Sequence, residues 1–146
     1  LEINPLQEHW QGNVFVAPKG AVRNNRIWLN KTVSEYRNGH IKSFVFFTSA
    51  SELLRACPVI YDYPFCIPFK RVKQIRATPA GFEAIEPSTW NIIVYGPPTD
   101  EVLSNIDRVS LFYNTFRDIG RVCFNEFAGD NWQKDAEYYV EKKGEV

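Results

Sequence analysis

The sequence contains no methionine and only three cysteines among its 146 residues. Cys57, Cys66 and Cys123 have no C-x-x-C spacing, and an odd number of cysteines fits neither a disulfide framework nor a zinc site. We therefore expect three buried, reduced thiols. The length suits a single domain over residues 1–146, with residues 1–9 as a loose lead-in. Because even an initiator methionine is absent, we expect this domain to be taken from a longer protein.

The chain also lacks an excess of charge, since 17 Lys and Arg residues balance 17 Asp and Glu residues. A protein that coats nucleic acid needs a positive excess, so nucleic acid is not expected as a ligand of this domain alone. No apolar run approaches about 18 residues, and no signal-peptide pattern opens the chain, so no membrane association is expected. The hydrophobic fraction of 45% excludes a disordered tail.

Familiar catalytic and cofactor motifs are missing as well. The sequence has no G-x-S-x-G, H-E-x-x-H, G-x-x-x-x-G-K or G-x-G-x-x-G. His9 and His40 are the two histidines, and neither has a neighbouring His or Cys at ligand spacing. The sequence therefore predicts no enzyme activity, no catalytic residue, no cofactor and no metal site.

Apolar, β-branched and aromatic segments indicate a protein rich in strands. An Asn-Gly pair at residues 38–39 predicts a tight turn before the third of these segments. The fourth is a nearly continuous apolar run, which is typical of a central strand covered on both faces. The predicted strands are residues 13–17, 26–30, 41–48, 90–95 and 121–127.

Three helices are predicted between these strands. A Ser-x-x-Glu capping box at residues 49–52 opens a short helix that ends before Pro58, and Thr78-Pro79 opens a second over residues 79–86. Apolar residues at spacings of 4, 3, 4 and 3 predict that residues 99–119 form the longest helix. Residues 137–140 fit either a helix or an edge strand. The predicted class is mainly β with helices (α+β): an antiparallel β-barrel of about seven strands with about three packed helices.

A basic segment is the clearest anomaly of composition. Lys70, Arg71, Lys73 and Arg76 lie in a stretch without any acidic residue between Asp62 and Glu83. In one strand, Lys70 and Arg76 would share a face and the other two cations the opposite face. Arginine forms bidentate bonds to phosphate oxygens, so this basic strand is a candidate anion site. The competing interpretation is an edge strand whose charges prevent pairing with another chain.

The order of several segments resembles the SPOC domain, the C-terminal module of Spen-type transcriptional regulators. The likeness covers most of residues 9–127, with residues 19–40 as an insertion. It rests on four stretches: His-Trp-Gln-Gly at 9–12; Phe-Val-Phe-Phe-Thr-Ser at 44–49 with the short helix after it; the basic strand 70–76 with Thr78-Pro79; and Ile-Ile-Val-Tyr-Gly-Pro at 92–97 with the long helix and Gly120-Arg121-Val122.

This resemblance implies a seven-stranded β-barrel in a non-enzymatic, nuclear protein. It implies a module for protein–protein interaction in transcription regulation or RNA processing, which binds acidic or phosphoserine-containing segments of partner proteins. The alternatives are a small-ligand-binding barrel or enzyme with an aromatic-lined cavity, and an oligonucleotide-binding barrel. By position, the implied binding residues are Lys19, Lys70, Arg71, Lys73, Arg76 and Tyr113.

Overall fold

The computed structural model describes residues 3–98 and 105–124, which form three α-helices and seven strands. A 3₁₀ turn at Pro58–Asp62 follows the second helix. The helices are α1 (Val22–Arg37), α2 (Leu53–Ala56) and α3 (Asn105–Phe116). The strands are β1 (Gly12–Val16), β2 (Ile41–Thr48), β3 (Phe65–Pro68), β4 (Gln74–Thr78), β5 (Gly81–Ile85), β6 (Ile92–Gly96) and β7 (Gly120–Cys123).

Five of the strands form one mixed sheet in the order β1-β2-β6-β3-β7, and β4 and β5 form a separate hairpin. The α+β class is therefore confirmed. β1 and β2 are parallel, whereas the other neighbouring pairs are antiparallel, so an entirely antiparallel arrangement is wrong. The reason is that α1 connects β1 to β2, and a helical crossover returns the chain in the same direction. The described strands close no barrel, so the barrel stays a prediction.

The segment 26–30, which was expected to be a strand, lies inside α1. Leu29 and Val33 are four residues apart, and both are buried against the sheet. This packing of one helical face favours the helix over the β propensity of the local sequence. The predicted turn is confirmed, but it joins a helix to a strand. Gly39 has a φ of 76°, a conformation that glycine adopts readily where a helix ends.

The sheet is covered on both faces. Phe44 and Phe46 of β2 face α1, where they form the main core with Leu29, Val33 and the buried residues of β6. The alternate residues of β2 and β6 face Phe112 of α3 in a second, smaller cluster. Two strand predictions are confirmed: β2 at residues 41–48, and a buried central strand after residue 90, which is β6.

Two predicted helix starts are wrong. The Ser49 hydroxyl does not cap α2; it accepts hydrogen bonds from Gln74 Nε2 at 2.8 Å and from Asn91 Nδ2 at 2.9 Å, and α2 begins only at Leu53. The helix does end before Pro58, as predicted. Residues 79–86 contain β5 instead of a helix, because the chain turns back after Thr78 and pairs with β4.

The helix predicted over residues 99–119 is present as α3, and residues 99–104 lie outside the described residues. Val109 and Phe112 are buried, while Tyr113 is half-buried. Among the described residues α1, with 16 residues, is longer than α3, with 12. None of the helices in the described ranges is long and apolar enough to cross a membrane. The segment 137–140 and the end of the strand predicted over 121–127 lie outside those ranges.

Candidate anion-binding site

A surface cavity of about 470 Å³ lies between three parts of the chain. Because β1 and β2 run parallel, the loops that follow them emerge at the same edge of the sheet. The β1–α1 loop contributes Lys19, the loop after β2 contributes Ser49, and the β4–β5 hairpin contributes Gln74 and Arg76. We term this space the hairpin cavity. The two cations that line it are far apart in sequence and meet only in the fold.

The loop that carries Lys19 is fixed by a buried asparagine. Asn25 is 1% exposed, and its Nδ2 group donates to the carbonyls of Gly20 at 3.1 Å and Ala21 at 3.0 Å. Its Oδ1 atom accepts from the Thr48 hydroxyl at 2.7 Å, at the end of β2. Gly20 has a φ of 85°, which favours glycine at this position. One side chain therefore ties together the two loops that line the cavity.

The N-terminus of α1 adds positive potential beside Lys19. Ala21 occupies the N-cap position and provides no side-chain hydrogen bond, and the first turn contains no acidic residue. The free N–H groups of a first helical turn carry a partial positive charge that attracts anions. The β1–α1 loop therefore places a lysine next to a helix N-terminus whose partial positive charge is not neutralised by any side chain of the N-cap or of the first turn.

Arg76 lies on β4 opposite Glu83 of β5, and its Nη2 atom is 2.9 Å from the Glu83 carboxylate. The Arg76 side chain is 62% exposed and that of Glu83 54% exposed. An ion pair at this exposure contributes little to stability. The guanidinium has five N–H donors, so Arg76 retains donors for a ligand while it contacts Glu83.

The basic segment is not one strand, which corrects the prediction. Only Arg76 belongs to β4, whereas Lys70, Arg71 and Lys73 lie in the irregular chain between β3 and β4. In that segment the Val72 N–H donates to the side-chain atom Asn91 Oδ1 at 2.6 Å and not to a neighbouring strand. Arg71 Nη1 donates to the Pro87 carbonyl at 3.1 Å. The four cations therefore do not share the two faces of a strand.

Three further predicted site residues lie at two other cavities. Tyr113 lines a space next to β7, where the guanidinium of Arg117 lies 5.6 Å from the centre of its ring. Lys70 and Arg71 line a third space, together with Asp118. The structure therefore brings together Lys19 and Arg76 and separates them from Tyr113, Lys70 and Arg71.

Ser49 and Gln74 are cavity residues that the sequence analysis did not single out as binding residues. Ser49 was predicted to cap a helix, and nothing in the sequence indicated that it lies next to the hairpin. The alternative of a small-ligand site predicted an aromatic-lined cavity. Trp10, Phe15 and Trp28 do line a separate cavity of about 360 Å³. That cavity lies at β1, whereas the space between α1 and the sheet is filled by the main core.

A scan against models of protein families, a search of curated proteins and a search of solved structures each found no match for this chain.

Proposed function

We propose that this protein is a non-enzymatic binding module that holds an acidic or serine-phosphorylated segment of a partner protein in the hairpin cavity. The observation that carries the proposal is that Lys19 and Arg76 line the same cavity. A phosphate held between them is bonded by the fork of the guanidinium and neutralised by the ammonium group. Recognition of phosphorylated motifs by basic clusters is a common mode of peptide binding.

Neutral donors complete this arrangement. The Ser49 Oγ atom accepts from both Gln74 and Asn91. Within the described residues no acceptor takes the proton of the Ser49 hydroxyl, so that proton is available to a ligand oxygen. The open first turn of α1 lies next to the same loop. Anionic oxygens in the cavity therefore meet donors of several kinds, which favours phosphate over a single carboxylate.

The hairpin favours a peptide as the source of the anion. β4 and β5 are a two-stranded sheet, so each has an outer edge without a partner strand in the described part of the chain. An extended peptide adds to such an edge through main-chain hydrogen bonds. Ile75 and Phe82 are 76% and 83% exposed on the hairpin and provide apolar contacts for residues that flank the phosphate. The zero net charge argues against a long polyanion.

The resemblance to the SPOC domain supports the same assignment. Under this proposal the partner is a segment of a nuclear transcription or RNA-processing protein, and the barrel that the resemblance implies is part of the proposal. The insertion relative to that family, residues 19–40, contains Lys19 and α1. The cavity therefore combines the family's basic-strand arginine position, Arg76, with Lys19, which stands at the start of this segment and near the position of the family's first-strand lysine.

Fluorescence polarisation with labelled peptides tests the proposal. The probes are a randomised acidic peptide library with a fixed central phosphoserine, and the same library with serine. We expect the phosphorylated library to bind more tightly. Arg76→Ala and Lys19→Ala should each weaken its binding about tenfold or more, because each removes a charge-assisted contact.

Matched control variants distinguish binding in the hairpin cavity from a general effect of removing positive charge. Arg55 also forms an exposed pair with a glutamate, 2.9 Å from Glu52, and Lys42 is an exposed lysine on β2. Arg55→Ala and Lys42→Ala should bind the phosphorylated library as the unmodified protein does. Equal losses in all four variants would contradict the proposal. So would binding of a single-stranded oligonucleotide in preference to both peptide libraries.

A further inference from the structure

A second cluster of functional groups lies away from the hairpin cavity, where the segment before β1 meets the end of α1. His9 Nδ1 is 3.2 Å from Glu35 Oε1, and His40 Nδ1 is 2.9 Å from Glu35 Oε2. The centres of the two imidazole rings are 4.1 Å apart. The only two histidines of the chain therefore meet on one carboxylate, although they are distant in sequence.

The Glu35 carboxylate is buried and held from its other side. Its side chain is 4% exposed. Lys31 Nζ is 2.5 Å from Oε1, and the Trp10 N–H donates to Oε2 at 3.2 Å. Each oxygen therefore has one fixed donor and one imidazole, which matches the lone pairs of a carboxylate.

Glu35 keeps its charge in this position. Burial raises its pKa, but the hydrogen bonds from Lys31, the Trp10 backbone, His9 and His40 outweigh that effect and lower the pKa to about 2. The group is therefore an anion at neutral pH. A carboxylate beside two imidazoles is a donor set that suits a divalent transition metal.

We propose that His9, Glu35 and His40 form a binding site for one divalent transition-metal ion of the Zn²⁺ class. One potential ligand atom from each residue lies within 4.8 Å of the others. Neighbouring ligands on a tetrahedral ion with bonds of about 2.0–2.1 Å lie about 3.3 Å apart. His9 Nδ1 is 3.2 Å from Oε1 and His40 Nδ1 is 2.9 Å from Oε2, so each imidazole is close to that spacing from one oxygen of the Glu35 carboxylate.

Binding requires only a local change of protonation. Because an ionised carboxylate only accepts hydrogen bonds, each Nδ1 carries the proton in the hydrogen-bonded arrangement, and a metal takes the place of these protons. A neutral imidazole that binds through Nδ1 carries its proton on Nε2. The His9 side chain is 74% exposed and that of His40 36% exposed, so water can solvate that N–H. Lys31 and the Trp10 N–H remain as partners that hold the carboxylate in place.

Lys31 has two opposing effects on such a site. It orients the Glu35 carboxylate, and its Nζ atom also donates to the Glu8 carbonyl at 2.7 Å, which fastens the segment before β1. Its charge, however, repels a cation on the same carboxylate. Because the Trp10 N–H also holds the carboxylate, the repulsion outweighs the loss of one orienting contact, and the site should bind metal more weakly than it would without the lysine. That dependence distinguishes this site from adventitious binding to exposed histidines.

Nuclear magnetic resonance of the two imidazoles provides the test. The chain is dialysed against a chelator and titrated with ZnCl₂ while the ¹⁵N shifts of both rings are followed. We expect both rings to change together and to saturate at one Zn²⁺ per chain. His9→Gln and His40→Gln should each weaken binding by about tenfold or more.

Lys31→Gln provides a second test, with Lys42→Gln as its matched control on an exposed part of β2. Lys31→Gln should bind Zn²⁺ several-fold more tightly, and Lys42→Gln should not differ from the unmodified chain. Circular dichroism without metal confirms that each variant is folded. Rings that titrate separately, Zn²⁺ binding that leaves both imidazoles unchanged, or a Lys31→Gln affinity no higher than the control would each overturn the proposal.

Discussion

Asn25 connects the fold to the proposed site at the scale of one residue. It is polar and buried in α1, which would be costly without partners. Its amide instead satisfies two carbonyls of the β1–α1 loop and accepts the Thr48 hydroxyl proton. The position of Lys19 therefore depends on a side chain that the sequence alone does not distinguish from the polar residues on either side of it.

Asn25→Ala tests that dependence. We expect the free energy of unfolding to fall by about 1–3 kcal/mol, because buried polar partners lose their hydrogen bonds. The matched control is Asn30→Ala, an exposed position of the same helix whose side chain makes no hydrogen bond in the described structure. That change should stay within about 0.5 kcal/mol. Urea unfolding measures both, and equal effects would contradict the role of Asn25.

The cysteines give a second prediction at this scale. All three are free thiols in the structure, and Cys66 is 0% exposed. Burial, and then the neighbouring Cys123, raise the pKa of Cys66 to about 11, so little reactive thiolate forms near neutral pH. Iodoacetamide at pH 8 should therefore label native Cys66 far more slowly than a free thiol, as read by mass spectrometry. Rapid labelling of Cys66, or fewer than three thiols after denaturation without reductant, would contradict this account.

At the scale of elements, strands whose side chains alternate between the two cores were predictable from sequence. β2 has its predicted bounds because both of its faces are apolar. Residues 26–30 and 79–86 were not predictable, since their structure depends on distant partners: α1 packs on the sheet, and β5 pairs with β4. In both cases tertiary contacts override weak local propensity.

The candidate sites follow the same rule. Arg76 was named from the basic segment and Lys19 from the resemblance, but their shared cavity depends on the crossover through α1, which was not predicted from the sequence. The His9–Glu35–His40 cluster was missed because the two histidines are far apart and neither has a ligand at short spacing. Its only local signal is Lys31–Glu35, an i,i+4 pair of the kind common on helices.

The N-terminus of α1 allows an element-scale prediction with two matched variants. Ala21 is exposed, has extended backbone angles and offers no capping group. Ala21→Ser and Ala21→Asp should each stabilise the fold by about 0.5–2 kcal/mol, because both supply a capping oxygen.

The two variants should differ in binding. Both capping oxygens accept from N–H groups of the first turn, but only Ala21→Asp also places a negative charge beside the hairpin cavity, so it should weaken binding of the phosphorylated library more than Ala21→Ser does. Thermal unfolding and fluorescence polarisation provide the two readouts. Equal affinities for the two variants would show that the end of α1 does not face the ligand.

For the whole molecule, the charges balance overall but are unevenly placed. The β1–α1 loop and β4 meet at one edge of the sheet with Lys19 and Arg76, and Glu83 is the acidic partner of Arg76 there. The histidine cluster lies instead at the other end of α1, beside Glu35. The two proposed sites, one for an anion and one for a cation, therefore lie apart on a scaffold whose core is continuous from α1 to the sheet.

The most direct test of the central claim is whether Lys19 and Arg76 act on the same anion. A double-mutant cycle with Lys19→Ala, Arg76→Ala and the combined variant measures this, with a phosphoserine peptide selected from the acidic library as ligand. If both side chains contact one phosphate, the losses should not add, and the coupling energy should be at least about 0.5 kcal/mol. Strictly additive losses, or no loss in either single variant, would contradict a shared anion site in the hairpin cavity.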